Sequence, residues 1–226
     1  MKNIIITGTS RGIGFELAQL FANNNCQVLA ISRNEKPLRS IDHPNIKTLA
    51  VDITQTNGLA LISSYIKTNW KQVDILINNA GTIVNKPFEQ TTTDDFLQVY
   101  KVNVFAVAEL TKTVLPYMKQ NSHVVNISSM GGIQGSVKFA GLSAYSSSKG
   151  ALITLTELLA EEYRERGIAF NVLAIGAVQT EMLAEAFPDY KAPLVPSEMA
   201  AYIYDFATSG NKFYNGKVLQ VSSTTP

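Results

Sequence analysis

The sequence predicts an α/β fold: a doubly wound parallel sheet of about seven strands, sandwiched between two layers of helices (an αβα sandwich) in a single domain. Three observations predict it. Strand-like apolar runs recur along the 226 residues, helix-length amphipathic segments separate most of them, and a glycine-rich turn follows the first run. Alternation of this kind places strands in parallel, because each helix carries the chain back to the same end of the sheet.

The first run, residues 3–7, reads NIIIT, and the helical pattern at 12–23 follows the glycine turn. Strand-like runs come next at 27–31 and 46–51, then a helical pattern at 56–69 and a run at 73–78. A long helical pattern covers 93–119, with Pro116 bending or ending it because proline removes a helix hydrogen bond. Runs at 123–128 and 168–175 flank a helix over 143–166, and a last run lies at 217–221. The runs are rich in Ile, Val and Leu with few polar breaks, as expected of strands covered on both faces.

Composition narrows the partners. Formal charge is +1 with both signs scattered, which argues against nucleic acid or an anionic membrane surface and leaves a small molecule. Cys26 is the only cysteine, so no internal disulfide and no cysteine-based metal site can form. His43 and His123 lack a pairing that suggests metal or catalysis, and no metal is expected. No apolar run reaches membrane-spanning length, so a soluble, cytoplasmic protein is expected.

The turn after the first run is TGTSRGIG, with Gly8, Gly12 and Gly14 between strand and helix. Phosphate oxygens approach a backbone closely only where side chains are absent, and the helix start adds free N–H groups and a positive dipole end. Ser10, Arg11 and Ile13 belong to the same loop. The second strand ends in Ser32 and Arg33 where an NAD site would carry an acid for the ribose 2′-hydroxyl. With Arg11 as a second cation, this pattern favours NADP(H) over NAD(H), although Glu35 tempers the positive field and both arginines also read as solvated surface charge. Further on, SAYSSSKGAL sets Tyr145 and Lys149 four residues apart, one helical turn, so that a phenol and an ammonium share a face.

TGTSRGIG, NNAG at 78–81, NISS at 126–129 and YSSSK at 145–149, in this order, make the chain similar to the short-chain dehydrogenase/reductase family over nearly its whole length. The resemblance implies a Rossmann-type sheet, a nicotinamide cofactor and hydride transfer between it and a carbonyl or alcohol carbon. It implies Tyr145 as general acid or base, Lys149 as its electrostatic partner and a ligand of the nicotinamide ribose, and Ser129, with Ser128 as the alternative, as the hydroxyl that orients the substrate oxygen. Asn103 matches a helix-borne asparagine that holds a water in a proton relay. Asp52 and Ile53 match positions near the adenine; Asn79, Ala80 and Gly81 match the wall beside its ribose; Gly176, Val178 and Thr180 match contacts to the nicotinamide. Asp52 and Thr180 also read as simple caps, and Asn78 and Asn79 as stabilisers of a strand end.

Three features depart from the family pattern. Fifteen residues separate Ser129 from Tyr145, Ile175-Gly176 stands in place of Pro-Gly, and the end NGKVLQVSSTTP lacks a terminal glycine pair. Residues 181–196 occupy the place of a substrate lid, with Met182, Phe187, Tyr190 and Leu194 expected to line an apolar pocket for a small or medium carbonyl compound; an ordinary surface helix and loop is the plain alternative. The 93–119 helix has apolar residues on more than one side, Phe96, Val99, Tyr100, Val104, Phe105, Val107, Leu110 and Val114, and the family resemblance gives the second face to a partner subunit in a homodimer or homotetramer. Two other functions remain open: a dinucleotide-binding redox sensor or scaffold without turnover, and an NAD-dependent alcohol dehydrogenase.

Overall fold

A computed structural model describes residues 1–222. Seven parallel strands form one sheet in the order β3-β2-β1-β4-β5-β6-β7. They are β1 (Asn3–Thr7), β2 (Gln27–Ser32), β3 (Ile46–Ala50), β4 (Val73–Asn78), β5 (Met118–Ser129), β6 (Ala169–Ile175) and β7 (Val218–Val221). In β1, Ile4, Ile5 and Ile6 are all fully buried, which requires cover on both faces of the sheet.

That cover comes from two sets of helices. On one side α1 (Gly12–Asn23) and α8 (Pro196–Ser209) pack together, α1 turning Leu17, Ala18 and Phe21 toward Ile4, Ile6 and Ile203. The other side holds α3 (Thr56–Tyr65), α4 (Thr93–Tyr100), α5 (Ala106–Val114) and α6 (Ser143–Glu162), where Ile62, Leu110, Val114 and Ala160 meet Ile5, Leu76 and Phe170. Two short helices complete the set, α2 (Lys36–Arg39) and α7 (Glu181–Ala186).

The single helix expected over 93–119 is instead two. Residues 101–105 form a π turn, in which the Ala106 N–H reaches back to the Lys101 carbonyl, and a 3₁₀ turn at 115–117 holds Pro116 and closes the segment. Thr92 starts α4 with a capping box: its Oγ1 accepts from the Asp95 N–H (3.1 Å), and the Asp95 carboxylate accepts from the Thr92 N–H (3.0 Å). Strand β5 begins at Met118, five residues before the expected start at 123, and α8 follows directly after the expected lid.

The chain runs outward from β1 to β2 and β3, then crosses back to β4 on the far side of β1. Loops leaving β1 and β4 therefore diverge, opening a crevice at the carboxyl ends of the strands. The end 223–226, including the part of the tail expected to lack a glycine pair, lies outside the described residues.

Candidate active site

The crevice is a cleft of about 940 Å³. Its wall is built from the carboxyl ends of the strands: Gly8 after β1, Ser32 and Arg33 at β2, Asp52 and Ile53 after β3, Asn79 to Gly81 after β4, Ser129 at β5, and Gly176 to Val178 after β6. Ser10, Arg11, Gly12, Ile13, Tyr145, Lys149 and Thr180 also line it. Two of the expected site residues, Gly14 and Asn103, stand behind the wall rather than on it.

The glycines have separate tasks. Gly8 has φ +73°, and a Cβ there would lie 2.8 Å from the Ala80 Cα. At Gly14 a Cβ would come within 2.3 Å of the Gly8 carbonyl oxygen, so this glycine lets α1 pack under the loop and is not itself a ligand contact. Asn79 holds the loop from the β4 side, its Nδ2 donating to the carbonyls of Thr7 (3.0 Å) and Gly8 (3.2 Å), while the Thr7 hydroxyl accepts from the backbone N–H groups of Asn79 and Ala80. A backbone cradle that side chains would fill, set at the start of a helix, fits a dinucleotide diphosphate.

Farther along the cleft, Asp52 accepts from the Thr54 N–H at 2.8 Å. Burial pushes its carboxyl up, but the Thr54 hydrogen bonds and the charges of Arg33 and Lys101 outweigh that and hold it below its ordinary value. Ser32 donates its hydroxyl to the Asn34 carbonyl (2.7 Å). Glu35 is drawn away from the cleft wall, accepting from the Thr48 hydroxyl (2.9 Å) and from Arg39 (3.1 Å). Arg33 is thus left exposed on the wall, while the Arg11 guanidinium makes a two-point bond to Glu185 of α7 (3.0 Å for the second contact).

At the other end, Ser129, Tyr145 and Lys149 converge. The first turns of α6 present Tyr145 and Lys149 on one face, with the Lys149 Nζ 5.7 Å from the centre of the tyrosine ring. Burial raises the Tyr145 phenol, and a hydrogen bond with Ser129 partly offsets it. Lys149 is 4% exposed, donates from Nζ to the Ile127 carbonyl at 2.8 Å, and is lowered by burial to about 8. Of the two candidate serines, Ser128 is fully buried and donates to the Lys149 backbone carbonyl (2.9 Å), whereas Ser129 faces the tyrosine. Neighbours in a strand point to opposite faces, so only one could reach it.

Asn103 occupies the π turn, fully buried. Its Oδ1 accepts from the Thr82 N–H (2.8 Å), and its Nδ2 donates to the Thr82 carbonyl (3.0 Å) and the Ser148 hydroxyl (3.0 Å). With both ends of the amide engaged, its side chain clamps the loop after β4 that carries Gly81.

The segment 181–196 roofs part of the cleft, with Met182, Phe187 and Tyr190 on the wall. Leu194 is a correction: it pairs with Val178 in a short bridge and packs against the core instead. Thr180 both lines the cleft and caps α7, accepting from the Leu183 N–H at 3.2 Å. The sequence reading missed Lys101, Met130, Val137, Phe139 and Leu142, which also line the cleft. The last four come from the long stretch between Ser129 and Tyr145, whose apolar residues were the available signal. A smaller cavity of about 520 Å³ lies between the glycine loop and α7, and neither Tyr145 nor Lys149 borders it. Among the described residues no cluster of three or more His, Cys, Asp or Glu side chains could hold a metal, and no helix is long and apolar enough to cross a membrane.

Comparison with known proteins gives the same reading. The oxidoreductase BOA17 of Botryotinia fuckeliana (strain B05.10) is 30% identical over 219 residues, covering 94% of this chain and 78% of that protein. A solved 4-hydroxyisoleucine dehydrogenase complexed with NADH superposes with a TM-score of 0.87 at 25% identity, covering 98% of this chain and 97% of its own. The structure described as ElxO with NADP bound superposes at 0.85 with 28% identity, covering 97% and 96%. The family model described as short chain dehydrogenase matches residues 2–191. With the glycine cradle, the Ser129–Tyr145–Lys149 cluster and the seven-stranded Rossmann-type sheet in place, the chain belongs to the short-chain dehydrogenase/reductase family of oxidoreductases.

Proposed function

We propose that the protein is an NADP(H)-dependent reductase of a small or medium carbonyl compound, with Tyr145 as its general acid. The observation that carries this reading is the convergence of the Tyr145 phenol, the Ser129 hydroxyl and the buried Lys149 ammonium at one end of a cleft whose other end exposes Arg33. When bound, a reduced nicotinamide supplies the hydride that the carbonyl carbon accepts. The chain's own residues do the rest. Ser129 and Tyr145 donate hydrogen bonds to the carbonyl oxygen, and Tyr145 gives its proton to that oxygen as negative charge develops there. Burial keeps the phenol protonated at neutral pH, as an acid must be. Lys149, charged below about pH 8, then stabilises the phenolate left behind. In the oxidative direction the same phenolate is the base.

Preference for the 2′-phosphorylated cofactor rests on Arg33, on Arg11 in the loop, and on the absence of an acid facing the ribose, since Glu35 is tied to Thr48 and Arg39. The segment 181–196 acts as the lid of one catalytic domain. The protein works in the cytoplasm as a homodimer or homotetramer, with neither nucleic acid nor membrane as partner.

Fluorescence titration with NADPH and NADH side by side tests the cofactor. NADPH is expected to bind at least tenfold more tightly, the loss expected when a phosphate lacks its arginine partners. Equal affinities would make the enzyme NAD-linked or dual, and Arg33→Asp should reverse the preference if Arg33 reads the phosphate. Tyr145→Phe should bind NADPH normally yet lose turnover by roughly a hundredfold or more, the usual weight of a general acid. Retained turnover would remove Tyr145 from that role, and binding of neither cofactor would return the chain to a non-catalytic reading.

A further inference from the structure

Resting on the reading of Ser129 and Tyr145 as the groups that meet the substrate oxygen, we propose that the substrate is an uncharged carbonyl compound with an alkyl or aryl substituent. Keto acids and phosphorylated sugars are excluded by the same site. Beyond the two hydroxyls, the wall is formed by Met130, Val137 and Phe139 from the loop after β5 and by Met182, Phe187 and Tyr190 from the segment after β6. Phe139 is 53% exposed, Val137 48% and Tyr190 46%, so apolar surface is left open at the mouth of the cleft. A ligand with an apolar substituent would cover it, and removing such surface from water favours binding.

Charge points the same way. The cations on the cleft wall are either engaged elsewhere or stand toward the adenine end. Arg11 is bonded to Glu185. Arg33 and Lys101 act on Asp52, toward the adenine end. Lys149 donates to Ile127 and sits over Tyr145. Lys138, the cation nearest Phe139 in sequence, turns its ammonium into its own loop, onto the carbonyls of Gly131 (3.0 Å) and Ile133 and the Ser136 hydroxyl (2.9 Å). Glu181, the other charged side chain on the wall besides these cations and Asp52, turns its carboxylate to the glycine loop, near Gly12 and Arg11, so the apolar wall itself carries no charge among the described residues. A carboxylate or phosphate placed here would lose its hydration against apolar side chains, without a counterion.

A matched pair of ligands tests this: 4′-methylacetophenone and 4-acetylbenzoate, nearly equal in size and different in charge. Each is measured by saturation-transfer NMR on the protein loaded with whichever oxidised nicotinamide dinucleotide the titration identifies, or on the free protein if neither binds, and by cofactor oxidation in the reductive assay. The methyl ketone is expected to bind, and to be preferred by roughly tenfold or more over the acid. Equal or better binding of the acid, or no binding of the methyl ketone, overturns the proposal. A failed cofactor titration would instead overturn the NADP(H) reading, so the two failures are separable. Phe139→Lys should narrow the gap by roughly tenfold by supplying the missing counterion, with Val137→Lys as a second site on the same wall. An unchanged ratio in both variants would show that this wall does not meet the substrate.

Discussion

At the scale of single residues, Lys149 carries a stability cost at the site proposed for the chemistry. Its ionisation falls from 10.5 to about 8 because the ammonium is buried, which costs the fold about 3 kcal/mol at neutral pH. The sign follows from proton binding: between about pH 8 and 10.5 the unfolded chain holds a proton that the native lysine has lost, so this residue's contribution makes the protein more stable as pH rises through that window. Lys149→Met removes the charge but leaves the Ile127 carbonyl without its donor, a loss of about 1–2 kcal/mol. The variant is therefore expected to be about 1 kcal/mol more stable at pH 7 while losing nearly all turnover, and its stability should not rise between pH 8 and 10 as the native protein's does. Urea unfolding at several pH values measures both. A native-like pH slope in the variant would mean that Lys149 is not the group responsible. The tyrosine and lysine were legible once their spacing was read together with the glycine turn, NNAG and NISS, because a Tyr and a Lys four apart occur often by accident, whereas the choice between Ser128 and Ser129 was not: strand alternation says that one of them points inward without saying which.

Among the elements, the strands were legible because they announce themselves as Ile and Val runs, and the observed β1 and β4 coincide with the expected ones. The break between α4 and α5 was not. KVNVF carries the same apolar rhythm as the helices around it, and one residue too many in a turn leaves no mark on composition. Yet that π turn positions Asn103, whose three hydrogen bonds fix Thr82 and Ser148. A Cβ added at the adjoining Gly81 would lie 3.4 Å from the Asn103 Oδ1 and 3.5 Å from the Lys149 Nζ, so the clamp reaches the wall beside Lys149. Asn103→Ala strips the partners from a partly buried backbone N–H and C=O and should cost about 2 kcal/mol, lowering Tm by roughly 4–8 °C. If the clamp also sets that wall, kcat should fall further than the cofactor's binding does. Calorimetry together with steady-state kinetics separates the two effects, and an unchanged Tm would refute the clamp. The stretch 130–142 was legible as an anomaly of length but not as a wall of the pocket, because only folding brings Val137 and Phe139 across from Phe187 and Tyr190.

For the whole molecule, strand order and the position of the cleft follow from alternating elements and one glycine turn, while the fate of the outer helix faces depends on what meets them. The apolar residues counted on both sides of the 93–119 segment divide accordingly. Val99, Val107, Leu110 and Val114 are buried within the protein, whereas Phe105 is 53% exposed. Leu97 on α4 and Leu158 on α6 are similarly exposed, and α4 and α6 pack side by side on one face of the sheet. Exposed large apolar side chains on adjacent helices are costly in water and are covered when a second copy docks the same surface against itself about a two-fold axis. The native protein should therefore scatter light as a dimer or tetramer at micromolar concentration. Phe105→Glu combined with Leu158→Glu places charges at the centre of that contact, where two copies of each would face a desolvated, like-charged partner. The double variant should dissociate to monomers with its helical circular dichroism intact, since neither side chain belongs to the buried core. A native protein that is already monomeric, or a double variant with unchanged mass, would show that this face is not the interface.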